Sequence, residues 1–534
     1  MSAAAAKPSS LSTGDVQQYR WLILLGLITA AIMEVLDTTI VNVALPQMAG
    51  NLGATNTEIA WVSTSYILSN VIVLPMTAFL AGRFGRKNYL TFSIFLFIVA
   101  SFFCGTSHSL GELVLWRFLQ GAGGAALLST AQATIRQIFT KEEQGLVQSI
   151  FIMGIIVAPT LGPTLGGWIT DNYTWNWCFF INVPIGIVSA FLVWSFLHDP
   201  TGPRKVGSVD WLGIGLLAVG LGSLQYLLEE GEAKEWFQSA LIVRLAIVAT
   251  ICLSILVWWQ FSPKNKNPVI DFHVLKNRTL AASIFLFVAL GFGLYGGVYL
   301  YPLFTQTILR FTPTMTGLAL MPGGIATAFS AIVTGRLMGG KKPLIDPRLL
   351  IYLGVAIFSY AMWDLAHMTT ASGLEDTRFA LIWRGMGLGF LFAPINQIAY
   401  GELDPRYAQQ ASGLINLARQ LGGSFGIAVL GTFVQHQAGL HRADLVSKIN
   451  YANPQLQLRL YESQLGFMMH GIHSGPQNQP AWKVLDLIVT RQSLVLSYND
   501  SFLLILATFL VTAPAILILR RPKPRAEAAA VDAH

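Results

Sequence analysis

The chain has 534 residues, of which 53% are hydrophobic and only 11% are charged, and its mean hydropathy is +0.55. These values exclude a soluble multidomain protein and predict a polytopic membrane protein. The net charge of +7 would favour nucleic acid or acidic partners in a soluble protein. Here the distribution of that charge along the chain indicates membrane topology instead.

The first apolar segment, 21–43, contains two carboxylates, Glu34 and Asp37. At about 1.5 Å per residue such a segment crosses a hydrocarbon core of roughly 30 Å, so both acids lie deep in the membrane. Each costs about 2.5 to 3.5 kcal/mol there, which indicates a function. The spacing of three places both on one helix face. The alternative is that Glu34 only reaches toward the membrane surface.

Thirteen further apolar segments follow, and the polar first twenty residues lack the pattern of a cleaved signal peptide. We therefore predict an all-α fold with fourteen transmembrane helices. Basic residues gather in the loops on the side of the N-terminus and in the tail from Arg520 to Arg525. The positive-inside rule then places both termini in the cytoplasm. The segments are 21–43, 59–80, 89–107, 112–134, 147–170, 178–197, 211–229, 240–261, 279–303, 314–337, 349–368, 377–400, 411–434 and 499–519.

A weak internal repeat runs through the chain. The sequence that closes the second helix at Arg83 is echoed at Arg336, and Trp-Arg at Arg117 in the fourth helix is echoed at Arg384 in the twelfth. Transporters built from two similar halves leave this kind of trace. We predict six-helix bundles in 1–200, the first half, and in 276–534, the second half, with two intervening helices in 201–275. Coincidence between short motifs is the alternative.

The long polar segment 435–498 is predicted to be a partly helical docking surface on the outer side. Its histidines have no Cys or carboxylate partners at ligand spacing, so no metal site is predicted. The three cysteines lie in apolar segments and give no disulfide framework. The sequence contains no phosphate loop, nucleophile motif or soluble catalytic domain, so we predict neither an enzyme nor a cofactor.

Several motifs together resemble one family, the fourteen-helix drug/proton antiporters of the major facilitator superfamily, of the EmrB/QacA type. The resemblance covers nearly the whole chain. The motifs are Leu36 to Pro46 in the first helix, Gly82-Arg83-Phe84-Gly85-Arg86-Lys87 after the second, Arg117 with Gln120 and Gly121 in the fourth, the antiporter motif of the fifth with Pro159, Gly162, Pro163, Gly166 and Gly167, and Phe180 to Gly186 in the sixth.

The loop before the last helix, and Asn499-Asp500 at the start of that helix, look most like the EmrB branch. Members of that branch work with a periplasmic adaptor and an outer-membrane channel. The resemblance thus implies a Gram-negative inner membrane and these two partners.

The sequence departs from the family pattern in two places. Where the loop motif usually carries an acid, this chain has Gly82, so a charge latch built on that acid is not expected. The cationic side chains of Arg83, Arg86 and Lys87 are still expected to interact with helix C-termini or with other acids on the inner face. The tenth and thirteenth helices contain no acid in their interiors, whereas some exporters of this family use acids there. Divalent organic cations are therefore less expected as substrates.

Proton coupling is assigned to three residues. Burial disfavours a charged carboxylate and a nearby Arg favours it, so Asp37 opposite Arg117 is poised between the two forms. We expect Asp37 to carry the proton and Arg117 to tune it, while Glu34 shares the proton or receives a cationic substrate. The alternative for Arg117 is a structural cation that bonds backbone carbonyls between helices.

Small residues at a spacing of four in the fifth helix allow close approach, and its prolines introduce bends, so we expect it to lie against a helix of the second half. An ordinary kinked helix is the alternative.

Candidates for an amphipathic substrate cavity are Tyr295, Tyr299, Asn396, Gln397, Asn416, Arg419 and Gln420. For the tyrosines, core packing or a lipid-facing belt is an equal alternative. Arg419 favours anionic or amphipathic cargo, or else bonds a neighbouring carbonyl.

The sequence therefore predicts a proton-coupled antiporter that exports hydrophobic or amphipathic toxic compounds by alternating access. A dedicated exporter of a metabolite, fatty acid or siderophore is the first alternative. A membrane-embedded sensor or enzyme is the second.

Overall fold

A computed structural model describes residues 18–198, 209–265, 267–338, 345–401, 403, 407–450, 452–469 and 479–519. Throughout these ranges the regular elements are helices, and no strand occurs among them. The basic tail from Arg520, the loop residues Lys341 and Lys342, and the histidines His470 and His473 lie outside the described residues.

The long helices are numbered in chain order. They are α1 (Arg20–Leu52), α2 (Trp61–Phe84, with a 3-10 turn at Leu74–Met76), α3 (Arg86–Thr106), α4 (Leu110–Ile138), α5 (Lys141–Asn172), α6 (Trp177–Phe196), α7 (Trp211–Glu230), α8 (Ala240–Gln260), α9 (Arg278–Thr307), α10 (Pro313–Met338), α11 (Pro347–Leu365), α12 (Leu374–Gly401), α13 (Ala408–Ser447), α14 (Pro454–Met469) and α15 (Gln479–Thr512, followed by a 3-10 stretch Ala513–Ile518).

In the described part of the chain, twelve helices are long and apolar enough to cross a membrane, and thirteen if the bent helix α5 counts as one span. Helix α4 has 29 residues and is long enough, but Arg117, Gln120, Gln132 and Arg136 make it polar. The prediction of fourteen spans is compatible with this set. We call the side where α1 begins the N-terminal face and the other side the opposite face.

Helix α1 extends nine residues beyond the predicted end at Val43, and Pro46 lies within it. It stops at Gly53, whose φ of 63° is left-handed and whose N–H bonds the carbonyl of Ala49. Glycine adopts this conformation without the steric cost that a Cβ imposes, which makes it a common helix end.

The predicted loop 435–498 is mostly helical. Helix α13 continues to Ser447, α14 follows, and α15 begins at Gln479, twenty residues before the predicted start at 499. Hydropathy falls where a helix leaves the hydrocarbon, but its backbone hydrogen bonds continue, so the prediction ends α13 too early and starts α15 too late. The expectation of partly helical structure in this segment agrees with the observed helices.

Apolar cores form separately at the two ends of the chain. One core joins side chains of α1 to α6, including Leu27, Ile94 and Phe151. A larger one joins α9 to α15, including Phe358 and Phe502, and it takes Ile152 from α5. The division at residues 200 and 275 stays a prediction.

The intervening helices α7 and α8 pack on each other and also join the two halves. An apolar cluster unites Leu217 and Leu221 of α7 with Val71 of α2 and Leu414 of α13. Gln225 of α7 donates a 2.8 Å hydrogen bond to Ser424 of α13. The pair is therefore not a peripheral addition, because α7 lies in the seam between α2 and α13.

Polar contacts hold the two ends of this pair. Asp210 precedes α7 and accepts bonds from Gly213 N, Trp259 and Asn265 at 2.7–2.8 Å. Burial raises the pKa of the Asp210 carboxyl, and these hydrogen bonds lower it. Together the hydrogen bonds have the larger effect, so the pKa of Asp210 lies below its ordinary value. On the opposite face Trp236 Nε1 donates to Thr432 of α13 at 2.8 Å.

Helix α5 lies between α1 and α10. It bends by 45° between its Glu143–Pro159 and Thr164–Asn172 parts. Gly162 faces Thr39 of α1, and Gly317 of α10 faces Thr164 of α5. The glycine run therefore contacts the first helix of its own half as well as a helix of the second half.

Gly166 and Gly167 provide a matched pair for testing this packing. A Cβ on Gly166 would lie 2.7 Å from the carbonyl oxygen of Ile40, whereas one on Gly167 would meet nothing closer than Thr314 Oγ1 at 3.4 Å. Both alanines add the same helix propensity. Because the α1 backbone cannot yield, we expect Gly166→Ala to be less stable than Gly167→Ala by about 1 to 3 kcal/mol. Thermal unfolding of the purified variants measures this difference, and equal stabilities would contradict it.

Candidate functional site

Asp37 and Arg117 form an ion pair inside the first half. Arg117 Nη1 lies 2.5 Å from Asp37 Oδ2, and the two side chains are 1% and 0% exposed. The guanidinium also donates from Nε to the carbonyl of Val62 at 3.0 Å. Arg117 therefore makes the contacts expected for both predicted roles. It pairs with the acid Asp37, and it donates a hydrogen bond to a backbone carbonyl of α2.

The second carboxylate oxygen of Asp37 is bonded as well. Asn182 Nδ2 of α6 donates to Oδ1 at 2.7 Å and Gln120 Nε2 of α4 donates at 3.0 Å. Both amides also donate to Ser101 of α3 at 3.1 Å. Buried charges are tolerated when they are paired and hydrogen-bonded in this way. The network fixes α1, α3, α4 and α6 around one carboxylate.

Two aromatic rings enclose the guanidinium. Its Cζ lies 4.3 Å from the ring centre of Tyr66 and 5.7 Å from that of Phe179. A cation over a ring face gains electrostatic energy, and the gain is larger away from water. The rings also exclude solvent, which strengthens the Asp37 pair.

Glu34 has a different environment from Asp37, although the two share α1. Its side chain is 8% exposed, and its Oε2 has no hydrogen-bond partner. A Cβ on Gly124 of α4 would lie 2.6 Å from Tyr66 Oη, 3.3 Å from Asn70 Nδ2 and 3.4 Å from Glu34 Cγ. The bare backbone of Gly124 thus leaves room for three polar side chains.

This polar cluster faces the second half. Arg419 of α13 lies close enough to Glu34 to interact electrostatically. Arg419 Nη1 in turn donates to Tyr295 Oη of α9 at 3.3 Å. Besides Glu34 Oε2, the buried Tyr66 Oη and Asn70 Oδ1 also have no partner. Buried unpartnered groups of this kind are costly and commonly mark a functional site.

The other predicted cavity residues divide into two groups. Asn396, Asn416 and Arg419 line one small cavity together with Gln132 of α4. Its volume of about 10 Å³ is far below the roughly 300 Å³ of a drug-sized site. The four predicted residues that do not line it are Tyr295, Tyr299, Gln397 and Gln420, and of these Tyr295 accepts a hydrogen bond from Arg419.

Buried hydrogen bonds join α4 and α13 across the two halves. Ser412 Oγ donates to the carbonyl of Ser129 at 2.7 Å, and Asn416 Nδ2 donates to Gln132 Oε1 at 3.1 Å. One turn nearer the N-terminal face, Arg136 donates to the carbonyl of Asn396 at 3.1 Å. In this conformation the halves are held together on the N-terminal side of Arg419.

The loop motif lies on the N-terminal face and contacts α4 and α6 of the first half. Arg86 Nη1 donates to Gln137 of α4, and Lys87 lies 5.1 Å from the ring of Trp194 in α6. Gly85 has a φ of 85°, which explains a glycine between α2 and α3. A Cβ on Gly82 would meet no atom within 4 Å, so sterics do not exclude an acid there.

Of the antiporter motif, Pro159 is buried and lies in a cavity beside α9, α10 and α12. Gly162 and Gly166 contact α1 at Thr39 and Ile40, immediately beyond Asp37 in the chain. Gly167 faces α10. The side chain of Pro163 lies outside the described part.

Sequence reasoning did not assign Asn182, Tyr66, Asn70 and Gln132 to the site. Each is a polar or amphipathic residue within an apolar helix, which is a signal, but the sequence contains many others. Which of them points at Asp37 or Glu34 depends on helix rotation. That information lies in the packing rather than in the spacing.

Residues 27–427, which are most of the chain, match the family model of the Major Facilitator Superfamily. The chain belongs to the major facilitator superfamily. The resemblance found in the motifs and the all-α polytopic fold are both confirmed. The described helices and this family membership make the protein a multi-pass membrane protein.

Members of the superfamily from several bacteria are similar along nearly the whole chain. The fatty acid resistance protein FarB of Neisseria gonorrhoeae is 34% identical over 94% of this chain and 96% of its own length. The multidrug export protein EmrB of Escherichia coli K12 is 32% identical over 93% and 95%. The crystal structure of the human organic anion transporter TETRAN has a TM-score of 0.54 at 12% identity, covering 94% of this chain and all of that one, and supports the fold alone.

The Asp37–Arg117 pair of this superfamily member is testable by a double-mutant cycle. We expect Asp37→Asn and Arg117→Gln each to lower the free energy of unfolding by about 3 to 5 kcal/mol, because each leaves its partner buried and unpaired. The double variant should lose less than the sum of the single losses. Unfolding in mixed micelles measures all three.

The exposed pair Arg442 and Asp486 is the control for this cycle. Its atoms are 2.6 Å apart, but the side chains are 50% and 57% exposed, so its loss should cost only about 0 to 1 kcal/mol. Additive losses for Asp37 and Arg117 would show that the buried pair is not coupled.

Proposed function

We propose that this protein is a proton-coupled antiporter that exports hydrophobic or amphipathic compounds by alternating access. The observation that carries the proposal is the buried Asp37–Arg117 pair beside Glu34, which faces the second half. Relatives that match most of the chain are named multidrug export proteins. No enzymatic activity is proposed, and the superfamily match favours transport.

Asp37 is proposed to carry the proton. A proton on Oδ2 neutralises the carboxylate and removes the charge that holds Arg117 Nη1 at 2.5 Å. In the neutral acid Oδ1 can still accept hydrogen bonds from the amides of Gln120 and Asn182. For this reason α1, α4 and α6 need not separate completely. Arg117 stays charged in both forms because a guanidinium does not lose its proton in proteins. The carboxylate then returns to the same partners when the proton leaves.

Glu34 is proposed to connect proton binding with substrate binding. Its unpartnered oxygen and its proximity to Arg419 place it between the proton site and the second half. Opening of the N-terminal face requires the α4–α13 hydrogen bonds at Ser412 and Asn416 to break. Arg419 lies about one turn from Asn416 and about two turns from Ser412 on α13, so a charge change near Glu34 and Arg419 favours one arrangement of the halves over the other.

The proposed orientation places both termini in the cytoplasm of a Gram-negative cell and the protein in its inner membrane. The distribution of basic residues supports this, since Arg83, Arg86 and Lys87 lie on the N-terminal face. We further propose bundles at 1–200 and 276–534, with α7 and α8 between them. The separate apolar cores support that division.

A periplasmic adaptor, together with an outer-membrane channel, is the proposed partner on the opposite face. Helix α14 presents an exposed apolar stripe of Leu458, Tyr461, Leu465 and Met468, which are 57%, 58%, 38% and 48% exposed. Their spacing of three and four residues places them on one side of the helix. Such an amphipathic helix suits a helical partner.

Export of fatty acids as a dedicated activity is the second candidate function. FarB, named for fatty acid resistance, is 34% identical over 94% of this chain. Growth of a pump-deficient strain that carries this protein separates the candidates. Protection against several unrelated toxic compounds supports multidrug export, and protection against fatty acids alone supports the dedicated exporter.

Asp37→Asn tests the coupling site. In reconstituted vesicles we expect substrate-driven proton movement to fall to the level of protein-free vesicles, because the amide cannot take up and release a proton. A pH-sensitive dye measures this movement. Asp444→Asn is the control, since Asp444 is exposed outside the apolar segments and pairs with the exposed Lys448 at 2.6 Å. Retained coupled efflux in Asp37→Asn would overturn the assignment.

Glu34→Gln distinguishes two roles for Glu34. If Glu34 shares the proton, coupling weakens for every substrate. If Glu34 receives cationic cargo, only cations lose affinity and transport, while neutral compounds keep theirs. Parallel efflux assays with ethidium and an uncharged dye measure the difference, and unchanged efflux of both would remove Glu34 from the site.

A further inference from the structure

Arg384 of α12 is the sequence counterpart of Arg117 in the internal repeat, but its surroundings differ. Its side chain is 7% exposed, so it is buried to nearly the same degree. Its Nε has no hydrogen-bond partner, and Nη2 makes only a long 3.4 Å bond to the carbonyl of Leu294. Among the described residues, no carboxylate lies within 4.0 Å of it.

A buried unpaired guanidinium is an expensive feature of a membrane protein. The charge cannot be removed by proton loss, and its five donors are arranged in a fork that fits a planar oxyanion. Arg117 meets this demand with Asp37, Gln120 and Val62 O. Among the residues that the structure describes, Arg384 has a single weak acceptor, the carbonyl of Leu294, so most of its donors are available to an anion from outside the chain.

The guanidinium lies in a cavity at the seam of the two halves. Its walls are mainly apolar, with Leu294, Leu320 and Leu388 from the second half and Pro159 of the antiporter motif from the first. The volume is about 30 Å³, and one water needs about 10 to 15 Å³. That space fits the size of a carboxylate group and excludes a whole drug molecule.

The backbone around Arg384 is shaped for the guanidinium. A Cβ on Gly297 of α9 would lie 3.0 Å from Nε and Nη2, so glycine lets the guanidinium lie directly against the α9 backbone. Gly385 faces the carbonyl of Gly323 and brings α12 close to α10. Arg384 and Pro159 line the same cavity.

We propose that Arg384 is a binding site for the anionic head group of an amphipathic substrate, a carboxylate attached to an apolar chain. The head group pairs with the guanidinium fork inside the cavity, and the apolar chain extends out of the cavity along the seam between the two halves. Pro159 places this site against the helix that also contacts α1 beyond Asp37. The inference rests on the proposed export function and names a substrate class and a specificity residue for it.

The test compares two probes of equal chain length and opposite charge, decanoate and decyltrimethylammonium. Binding of each radiolabelled probe is measured with the full-length protein in nanodiscs, with empty nanodiscs subtracted. We expect Arg384→Gln to weaken decanoate binding at least about tenfold, since a charge-assisted bidentate pair is lost. Binding of decyltrimethylammonium should not change. Arg384→Lys, which keeps the charge but not the fork, should fall between.

Arg378→Gln is the matched control on the same helix. Arg378 is 52% exposed and pairs with Glu375 at 2.9 Å, so its loss should leave both probes unaffected. The inference is overturned if Arg384→Gln binds decanoate as the wild type does, or if it loses both probes equally, which indicates a structural role.

A wild-type measurement keeps the inference testable if Arg384→Gln does not fold. Unlabelled decanoate should displace the labelled probe, and the uncharged methyl decanoate should not. Equal displacement by the ester would contradict a site for the anion. If export of decyltrimethylammonium persists while decanoate fails these tests, only the Arg384 inference fails. If the wild type exports neither probe nor any other amphiphile, the proposed function itself fails.

Discussion

The structure of the first half depends on one buried ion pair, between Asp37 and Arg117. Two charges removed from water cost several kcal/mol each, and their attraction offsets this only when the remaining donors and acceptors are bonded. Here both carboxylate oxygens have partners on α4 or α6, and the guanidinium reaches a carbonyl of α2. Four helices are therefore oriented by the requirement to satisfy one carboxylate. The apolar core around them fills space but does not by itself fix their rotations.

The two halves provide different partners for their buried arginines. In the first, the arginine of the repeat has an acid within the chain; in the second, Arg384 has none among the described residues. Arg419 is likewise bonded to Tyr295 rather than to a contact carboxylate. In the described interior the acids Glu34 and Asp37 lie on α1, whereas the guanidinium groups of Arg384 and Arg419 lie on α12 and α13. A substrate between the halves meets a carboxylate on one side and guanidinium groups on the other, which suits amphiphiles of either sign at different positions.

Much of this was readable from the sequence because the membrane makes burial of charge expensive. Asp37, Glu34 and Arg117 stand out in apolar segments, and their partnership follows from charge and from the family motif. Gln120 and Asn182 belong to the quoted family motifs, but the sequence does not show that both bond Asp37, because the direction of an amide side chain depends on helix rotation. The ends of α13 and α15 were missed since hydropathy marks the hydrocarbon rather than the helix. The position of α7 between α2 and α13 has no sequence signal, because two contiguous helices can pack anywhere along the seam.

Helix α5 connects the ion pair with the seam between the halves. On one side Gly162 and Gly166 bring its backbone against Thr39 and Ile40, the first turn of α1 after Asp37; on the other, Thr164 and Gly167 meet α10. Helices in backbone contact cannot slide gradually, since no flexible side chain separates them, so their relative movement occurs between discrete packings. In the proposed mechanism a change in the Asp37 network shifts α1, and α5 transmits that shift to α10. Because the same helix places Pro159 beside Arg384, a head group bound there would favour one of these packings and thereby act on the environment of Asp37.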